Sequence, residues 1–368
     1  MNKLIQLVMS GGMAAFLQLV ANTFLYLYYE ELSYAYFTQI LLLSVTLRPL
    51  LTLKFENSIF RVQDTLFVGY CLLLMAIIVV LLLMLLGTIQ NNPMLIMCSC
   101  ICLLSAINEL AELVLIKLEC LEKVILVRLL RPVSLLMLIL IVSLLNLNAS
   151  IFYIFIISYL PSLVIIVSFV HSRKLFPKRL SVVEFFKFAS QEKYLSLYSV
   201  PAGMLYGGAQ VLIYSAVLSN FSVEFSAMVG FATRILESFI NVVVPNLRVF
   251  LLKYWVIKLA MLKRTFFLFL CVAAFVGTVQ IYWADQEVLL IGMLYLAITR
   301  ILVTLFNVYA YLRRQDFFVL ADALVCYGVL SFFLKGNIET QWIYTGYLSS
   351  FVVCGLMLLW WEKFANAK

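Results

Sequence analysis

The amino-acid sequence predicts an all-α, polytopic membrane protein with about twelve transmembrane helices, arranged as two pseudo-symmetric six-helix lobes around a central cavity. Composition is the first observation behind this prediction. Of the 368 residues, 65% are hydrophobic and 12% are charged, and the mean hydropathy is +1.08. Soluble domains carry about 25% charged residues, so these values exclude a soluble fold. The other two observations are the distribution of the basic residues and a division of the chain into two similar halves.

About twelve apolar segments have the length that a helix needs to cross roughly 30 Å of hydrocarbon. They cover residues 5–28, 33–53, 66–87, 94–117, 130–147, 151–170, 196–218, 226–246, 265–284, 288–311, 317–334 and 342–361. The fifth and eleventh segments are the weakest of the set. Together the segments occupy most of the chain, which leaves no room for a soluble domain on either side of the membrane.

The connectors between these segments alternate in charge. The odd-numbered connectors contain a single basic residue, Lys335. The even-numbered connectors and both termini hold the other connector cations, and Lys123, Arg128 and Arg131 are assigned to the connector before the fifth segment. Because basic connectors stay in the cytoplasm, we predict that both termini are cytoplasmic, as an even number of helices also requires. The net charge of +8 then reflects this bias and attraction to anionic membrane lipids, not nucleic-acid binding.

The longest polar connector divides the chain into two halves with six segments each. Shifting the first half by 192 residues places Gln18 on Gln210 and Ala35 on Ala227. Parallel repeats of this kind are common in transporters, with the substrate path between the lobes, so both glutamines are candidate substrate-binding residues. The predicted units are an N-terminal lobe, a cytoplasmic linker and a C-terminal lobe, at residues 1–175, 176–195 and 196–368.

Polar side chains interrupt several apolar segments. A charged residue inside a span costs about 2.5–3.5 kcal/mol and usually marks a water-filled path or an ion pair. In three segments the polar residues are three or four positions apart, which places each set on one helix face. The sets are Ser105, Asn108, Glu109 and Glu112 in the fourth segment, Arg234, Glu237 and Asn241 in the eighth, and Arg300, Thr304, Asn307 and Tyr311 in the tenth. Arg48 lies in the second segment and Asp322 in the eleventh.

Arginine is the most informative residue type in these sets. Its guanidinium stays charged, and its fork of donors matches the oxygens of a phosphate. We therefore predict that an anionic substrate is bound by Arg48, Arg234, Arg300 and Asn241. Candidates for proton or sodium coupling are Glu109, Glu112, Glu237 and Asp322. Two structural alternatives stay open: an ion pair between Arg234 and Glu237 within one helix, and an ion pair of Arg300 with Asp322 or Glu109 across helices.

The sequence favours neither an enzyme nor a metalloprotein. It contains no nucleophile–base set, no glycine-rich phosphate loop and no metal-ligand spacing, so we expect no cofactor and no metal. Cys98, Cys100 and Cys102 lie close together in the sequence, but positions two apart point about 200° away from each other on a helix. We therefore expect these cysteines to pack as apolar side chains and not to share a metal ion. The basic amphipathic segment at residues 185–193 is expected to lie on the inner leaflet.

Two stretches resemble motifs of a known transporter family. Residues 51–60, Leu-Thr-Leu-Lys-Phe-Glu-Asn-Ser-Ile-Phe, resemble the Leu-Arg-Tyr-Glu-x-Ala-Ile stretch that follows the second span of oligosaccharide flippases. Residues 198–204, Tyr-Ser-Val-Pro-Ala-Gly-Met, and residues 232–237, Ala-Thr-Arg-Ile-Leu-Glu, resemble the family's Tyr-x-x-Pro-x-x-Leu and Ala-x-Arg-Val-Leu stretches. The resemblance is to the O-antigen and capsule flippases, the polysaccharide transporter branch of the multidrug/oligosaccharidyl-lipid/polysaccharide exporter (MOP) superfamily. Many members carry an additional C-terminal pair of spans that is not among the segments predicted here.

This resemblance implies a flippase that moves undecaprenyl-diphosphate-linked oligosaccharide repeats across the bacterial cytoplasmic (inner) membrane by alternating access, for O-antigen or capsule biosynthesis. It implies that Arg48 and Arg234 face the cavity between the lobes. The implied partners are the lipid-linked oligosaccharide, membrane lipids, and the polymerase and chain-length proteins of the same pathway. Two alternatives stay open. One is a cation-coupled multidrug exporter of the same superfamily, which Glu109 and Glu112 would suit; the other is an O-antigen polymerase, which the short outside loops disfavour.

Overall fold

The structure is a computed structural model that describes residues 2–59, 64–172, 182–235, 237–238 and 316–335. Every regular element in these ranges is helical. In chain order the helices are α1 (Asn2–Tyr28), α2 (Glu31–Thr52), α3 (Thr65–Ile89), α4 (Pro93–Lys117), α5 (Leu121–Leu144), α6 (Ile151–Ile157), α7 (Leu160–Ser172), α8 (Val182–Gln191), α9 (Val200–Asn220), α10 (223–235) and α11 (Asp316–Lys335). A 3₁₀ turn, Phe55–Ser58, follows α2, and a π-helical turn, Leu195–Ser199, leads into α9.

Seven stretches in the described ranges are long and apolar enough to cross a membrane. They are contained in α1, α2, α3, α4, α5, the α6–α7 pair and the π turn joined to α9. Helix α11 contains a shorter apolar stretch, Phe317–Gly328. These stretches correspond to the first seven predicted segments and the eleventh, so the predicted all-α, multi-pass fold is confirmed.

Local interactions set the ends of several helices. The Asp64 side chain accepts a hydrogen bond from the backbone N–H of Phe67 at 3.0 Å and so caps the start of α3. Asn92 caps α4 in the same way, with Pro93 at the first helical position. At the end of α2, Leu53 and Lys54 both adopt left-handed backbone angles, with φ of 47° and 61°, which turn the chain out of the helix.

The start of the fifth span differs from the prediction of 130–147, because α5 begins at Leu121. The residues Lys123, Arg128 and Arg131 therefore lie on a helix, and their assignment to a connector was wrong. Lys123 and Arg128 lower the hydropathy of the stretch before residue 130, which is why the predicted apolar window begins there. The helix continues through Arg128 and Arg131 because both side chains have partners on neighbouring helices.

The helix bundle has two ends, each with its own connectors. The short-turn end carries the turns at 29–30, 90–92, 145–150 and 221–222, and the opposite, basic end carries the described turns at 53–59 and 118–120. At the short-turn end Tyr29 Oη donates a hydrogen bond to the Ala149 carbonyl at 2.7 Å. Burial raises the pKa of Tyr29 to about 12, so this hydroxyl keeps its proton at neutral pH.

The structure repeats at the shift that the sequence suggests. The 192-residue shift that carries Gln18 onto Gln210 also carries Glu31, the start of α2, onto residue 223, where α10 begins. Packing repeats as well, because α1 packs on α5 and α9 packs on α11. The same shift carries α5 onto the stretch that contains α11. The described helices of the second half therefore repeat an arrangement found in the first half.

Helices α2 and α9 pack against each other with opposite direction and join the first six spans to the later ones. Gly203 and Gly207 lie four residues apart on the face of α9 that contacts α2. A Cβ atom on Gly207 would lie only 2.6 Å from the Thr46 Cα, so the two backbones approach as closely as glycine allows. Nearer the short-turn end, Gln39 donates a hydrogen bond to Ser215 Oγ at 3.3 Å. We call this contact the α2–α9 seam.

Helix α8 has apolar residues on two opposite faces. Phe185 and Phe188 pack on Phe55 of the 3₁₀ turn, with ring centroids 6.5 and 5.5 Å from that of Phe55. Val183 and Phe186 lie on the other face and are exposed. The segment expected on the inner leaflet is therefore docked by one face onto the first six spans and presents a second apolar face outward.

Candidate functional site

Three groups of charged and polar side chains lie within the described helices. The first is the N-terminal polar cluster, which consists of Arg48, Ser105, Asn108, Glu109, Glu112, Arg128, Arg131, Tyr159 and Ser162. The second is the lobe contact, where α10 meets α1 and α2 around Arg234 and Glu237. The third is a pair between Asp322 on α11 and Tyr206 on α9.

Arg48 on α2 forms an ion pair with Glu109 on α4. The side chains are 37% and 29% exposed, so the pair is open on one side rather than sealed in the core. Closer to the short-turn end, Cys102 Sγ donates a hydrogen bond to the Ser44 carbonyl at 3.0 Å, which holds α4 against α2. The structure thus brings together one predicted substrate-binding residue and one predicted ion-coupling residue. The alternative in which Glu109 or Asp322 pairs with Arg300 involves a residue outside the described ranges.

Glu112, one turn along α4, accepts a hydrogen bond from Arg128 Nε at 2.7 Å. The Arg128 side chain is buried, and the two residues form an ion pair between α4 and α5. Arg128 is not among the predicted site residues, because the apolar windows place this arginine in a connector. The sequence did indicate a buried cation near α4, because two carboxylates on one face of a membrane helix require partners on a neighbouring helix.

Arg131 lies one turn further along α5, and its guanidinium contacts two aromatic rings. The guanidinium carbon is 4.9 Å from the ring centroid of Phe155 and 4.3 Å from that of Tyr159. Tyr159 Oη forms a hydrogen bond with Ser105 Oγ at 2.9 Å. In the part of the chain that the structure describes, no carboxylate forms an ion pair with Arg131, and its Nε is buried without a hydrogen-bond partner.

At the lobe contact, Arg234 forms the ion pair with Glu237 that the sequence left open as an alternative. Their side chains are 9% and 8% exposed, so the pair is buried. The second terminal nitrogen of Arg234 donates a hydrogen bond to the Thr38 carbonyl on α2 at 3.2 Å. Arg234 therefore connects a helix of the second half to a helix of the first half.

Aromatic packing surrounds this contact. The rings of Tyr26 on α1 and Phe231 on α10 are stacked, with centroids 4.6 Å apart and an interplanar angle of 14°. A Cβ atom on Gly230 would lie 2.8 Å from Tyr214 Oη and 2.9 Å from Thr38 Oγ1, so a larger residue here would displace these side chains. Helix α10 is thereby seated closely on α1 and α2 near the short-turn end.

The remaining predicted site residues are dispersed. Asp322 is almost fully buried and accepts a hydrogen bond from Tyr206. Gln18 donates a hydrogen bond to Asn22 of its own helix at 3.1 Å, and Gln210 lies on α9, one turn from Tyr206. Arg300 and Asn241 lie outside the described residues. Within the described ranges no three His, Cys, Asp or Glu side chains are grouped to hold a metal ion.

No family model and no curated protein matches this sequence. The fold, however, matches solved transporters over the whole chain. A mutant of the Vibrio cholerae MATE transporter VcmN matches with a TM-score of 0.63 and 11% identity, over 100% of this chain and 97% of that one. A MATE structure in complex with MaD3S matches with a TM-score of 0.60 and 11% identity, over 99% and 96% of the two chains.

A third similar structure is a MOP superfamily transporter from Pyrococcus furiosus, described as having a binding pocket of reverse polarity that suggests a different function. It matches with a TM-score of 0.59 and 12% identity, over 99% of this chain and 95% of that one. At these identities the similarity establishes the fold. The chain therefore has the architecture of the twelve-helix MATE transporters of the MOP superfamily and is a multi-pass membrane protein.

Proposed function

We propose that this protein is an alternating-access transporter that flips undecaprenyl-diphosphate-linked oligosaccharide repeats across the bacterial inner membrane for O-antigen or capsule biosynthesis. The observation that carries the proposal is the position of Arg234 at the lobe contact. Its guanidinium donates to the Thr38 carbonyl of the other half of the molecule. A phosphate oxygen is a stronger acceptor than a backbone carbonyl for the same donor, so an anionic group entering between the lobes can replace Thr38.

Glu237 has a defined part in this scheme. A buried arginine without a counter-charge is strongly destabilising, and the ion pair with Glu237 removes that cost while no substrate is bound. A diphosphate carries more negative charge than one carboxylate, so it still gains from approaching Arg234. The hydrogen bond to Thr38 and the Tyr26–Phe231 stack then separate together, because both join α10 to the first two helices.

Orientation gives the direction of release. The positive-inside rule places the short-turn end on the outer side of the membrane and both termini in the cytoplasm. With this orientation the contact between α10 and α1–α2 closes the outer end, and opening it releases the repeat outside the cell. The polymerase and chain-length proteins of the pathway would then receive the product.

The second candidate is a cation-coupled multidrug exporter, and two observations favour it. The solved structures with this fold include MATE transporters, and the arginines Arg48 and Arg234 each face a glutamate. A transporter interior in which carboxylates balance the arginines suits the exchange of a cationic drug for a proton or sodium ion. In this case Glu109 and Asp322 would be the coupling residues.

One experiment separates the two candidates. The gene is deleted in its own host, and the sidedness of lipid-linked oligosaccharides is measured in spheroplasts. We expect single repeats to accumulate on the cytoplasmic face, and we expect wild-type protein but not Arg234→Ala to reverse this accumulation. The matched control is Lys187→Gln on the exposed side of α8, which should restore transport fully.

Two other results would contradict the flippase, and a third would contradict the role of Arg234. Repeats that reach the outer face but remain unpolymerised would indicate a polymerase. No accumulation together with altered drug susceptibility would indicate the exporter. Full restoration by Arg234→Ala, with normal amounts in the membrane, would remove this arginine from the mechanism.

A further inference from the structure

Arg131 is a charged residue deep in the membrane-spanning part of α5. It lies ten residues after Leu121, which is about 15 Å along the helix axis at ~1.5 Å per residue and therefore near the centre of the span. A cation at this depth is strongly unfavourable unless an opposite charge or water compensates it. The neighbouring Arg128 is compensated by Glu112, whereas no described carboxylate forms an ion pair with Arg131.

The rings of Phe155 and Tyr159 fix the position of the guanidinium. Both rings are almost completely buried, and the Tyr159 hydroxyl is held by Ser105, so the rings form a rigid wall. Cation–π contacts engage the faces of the guanidinium, and its N–H groups all point outward within its plane. The rings therefore hold Arg131 in place but leave its planar donors available, and Nε has no hydrogen-bond partner.

Among the described residues of the N-terminal polar cluster, positive charges outnumber negative charges. Arg48 and Arg128 each form an ion pair with one glutamate, and Arg131 adds a further positive charge. Neutral polar groups continue from Ser105 and Tyr159 by one helical turn, where Ser162 Oγ donates a hydrogen bond to Asn108 Oδ1 at 3.1 Å. A planar fork of donors with excess positive charge matches the oxygens of a phosphate group.

We propose that Arg131, held by Phe155 and Tyr159, forms a binding site for a phosphate-type oxyanion inside the first six spans, in addition to Arg234 at the lobe contact. The oxyanion is either the diphosphate of a lipid-linked substrate or a free phosphate or pyrophosphate from the aqueous phase. The lipid-linked source rests on the proposed function, but the site itself requires only the oxyanion. Arg131 would then hold the charged group of the substrate within one lobe while the contact at Arg234 opens.

The test uses the purified full-length protein in nanodiscs and inorganic pyrophosphate as the probe, at constant ionic strength. Isothermal titration measures the affinity of wild type, Arg131→Gln, Arg131→Lys and the surface control Lys187→Gln. We expect saturable binding to wild type and to Lys187→Gln, and at least tenfold weaker binding to both Arg131 variants. Arg131→Lys keeps the positive charge and most of the aliphatic stem, so it tests the planar fork even if Arg131→Gln does not fold. Size-exclusion and thermal unfolding profiles show which variants are folded.

Two results would overturn the site: no pyrophosphate binding by folded wild-type protein, or equal affinity in wild type and a folded Arg131 variant. A parallel titration with undecaprenyl diphosphate in the nanodisc distinguishes the sources. Tighter binding of the lipid than of pyrophosphate identifies a lipid-borne group, and the reverse order identifies a free anion. This titration measures binding and not transport. The binding site at Arg131 and the proposed flippase function are therefore tested separately, and either can be contradicted without the other.

Discussion

The N-terminal polar cluster and the lobe contact both bury arginines, but they differ in where the partners of those arginines lie. In the cluster, Arg48 and Arg128 pair with residues of α4, so both partners belong to the first six spans. At the lobe contact, Arg234 also bonds to Thr38 in the other half of the molecule. In the transport cycle proposed above, rocking of the two halves would leave the first set of contacts intact and would break the second. The comparison therefore distinguishes polar contacts within one half from a polar contact that the proposed motion would break.

Cross-linking gives the largest expected effect. In a variant without its native cysteines, Tyr26→Cys and Phe231→Cys are joined by a short thiol-reactive bridge across the lobe contact, where the two rings are stacked. We expect complete loss of transport after bridging and recovery after its reduction, measured by the sidedness of lipid-linked oligosaccharides. The matched control joins Phe37→Cys to Phe152→Cys, whose rings also touch but lie within the first six spans. Transport that continues with the first bridge in place would show that this contact stays closed throughout the cycle.

Removing a partner inside the cluster should mainly lower stability. Glu112→Gln leaves the buried Arg128 without its ion pair, and breaking a buried pair in this way costs about 3–5 kcal/mol. We expect a clear drop in the temperature of thermal unfolding in detergent. The double variant Glu112→Gln with Arg128→Met should recover most of that loss, since it removes the unpaired charge. No recovery in the double variant would mean that the pair does not set the stability of the α4–α5 contact.

The α2–α9 seam should respond to a single methyl group. Gly207→Ala places a Cβ atom against the Thr46 backbone, and overpacking of this kind costs about 1–3 kcal/mol. Gly328→Ala on α11 is the matched control, because nothing lies within 4 Å of the added Cβ atom. We expect reduced yield and thermal stability for the first variant only. Equal stability of the two would show that the seam is loose enough to adjust.

The smallest effect is expected at the open pair of the cluster. Glu109→Gln leaves Arg48 without its carboxylate, but Arg48 is partly exposed, so its charge can be hydrated. Exposed pairs contribute about 0–1 kcal/mol, and we expect thermal stability to change within that range. A loss as large as that of Glu112→Gln would show that Arg48 is shielded as completely as Arg128.

The positions of most spans followed from the sequence, since apolar length is a local property that a short window contains. The start of α5 did not follow, because its stability depends on Glu112 meeting Arg128 across two helices. The ion pair between Arg48 and Glu109 could not be predicted either, because hydropathy does not show which helices are neighbours. Gly203 and Gly207, in contrast, have a Gly-x-x-x-Gly spacing in the sequence, which is typical of close helix contacts and would have predicted the α2–α9 seam's close approach.

The burial of Leu195 has a consequence for how the protein is made. This residue precedes α9, yet its side chain belongs to the core formed by Phe55, Ile59 and their neighbours in the first six spans, as do the docked rings of α8. The first half of the chain therefore completes its core only when residue 195 has been synthesised. Domains generally fold as units in the order of translation, so the first lobe can be finished while the second is still on the ribosome. The later helices then assemble against a partner that is already folded.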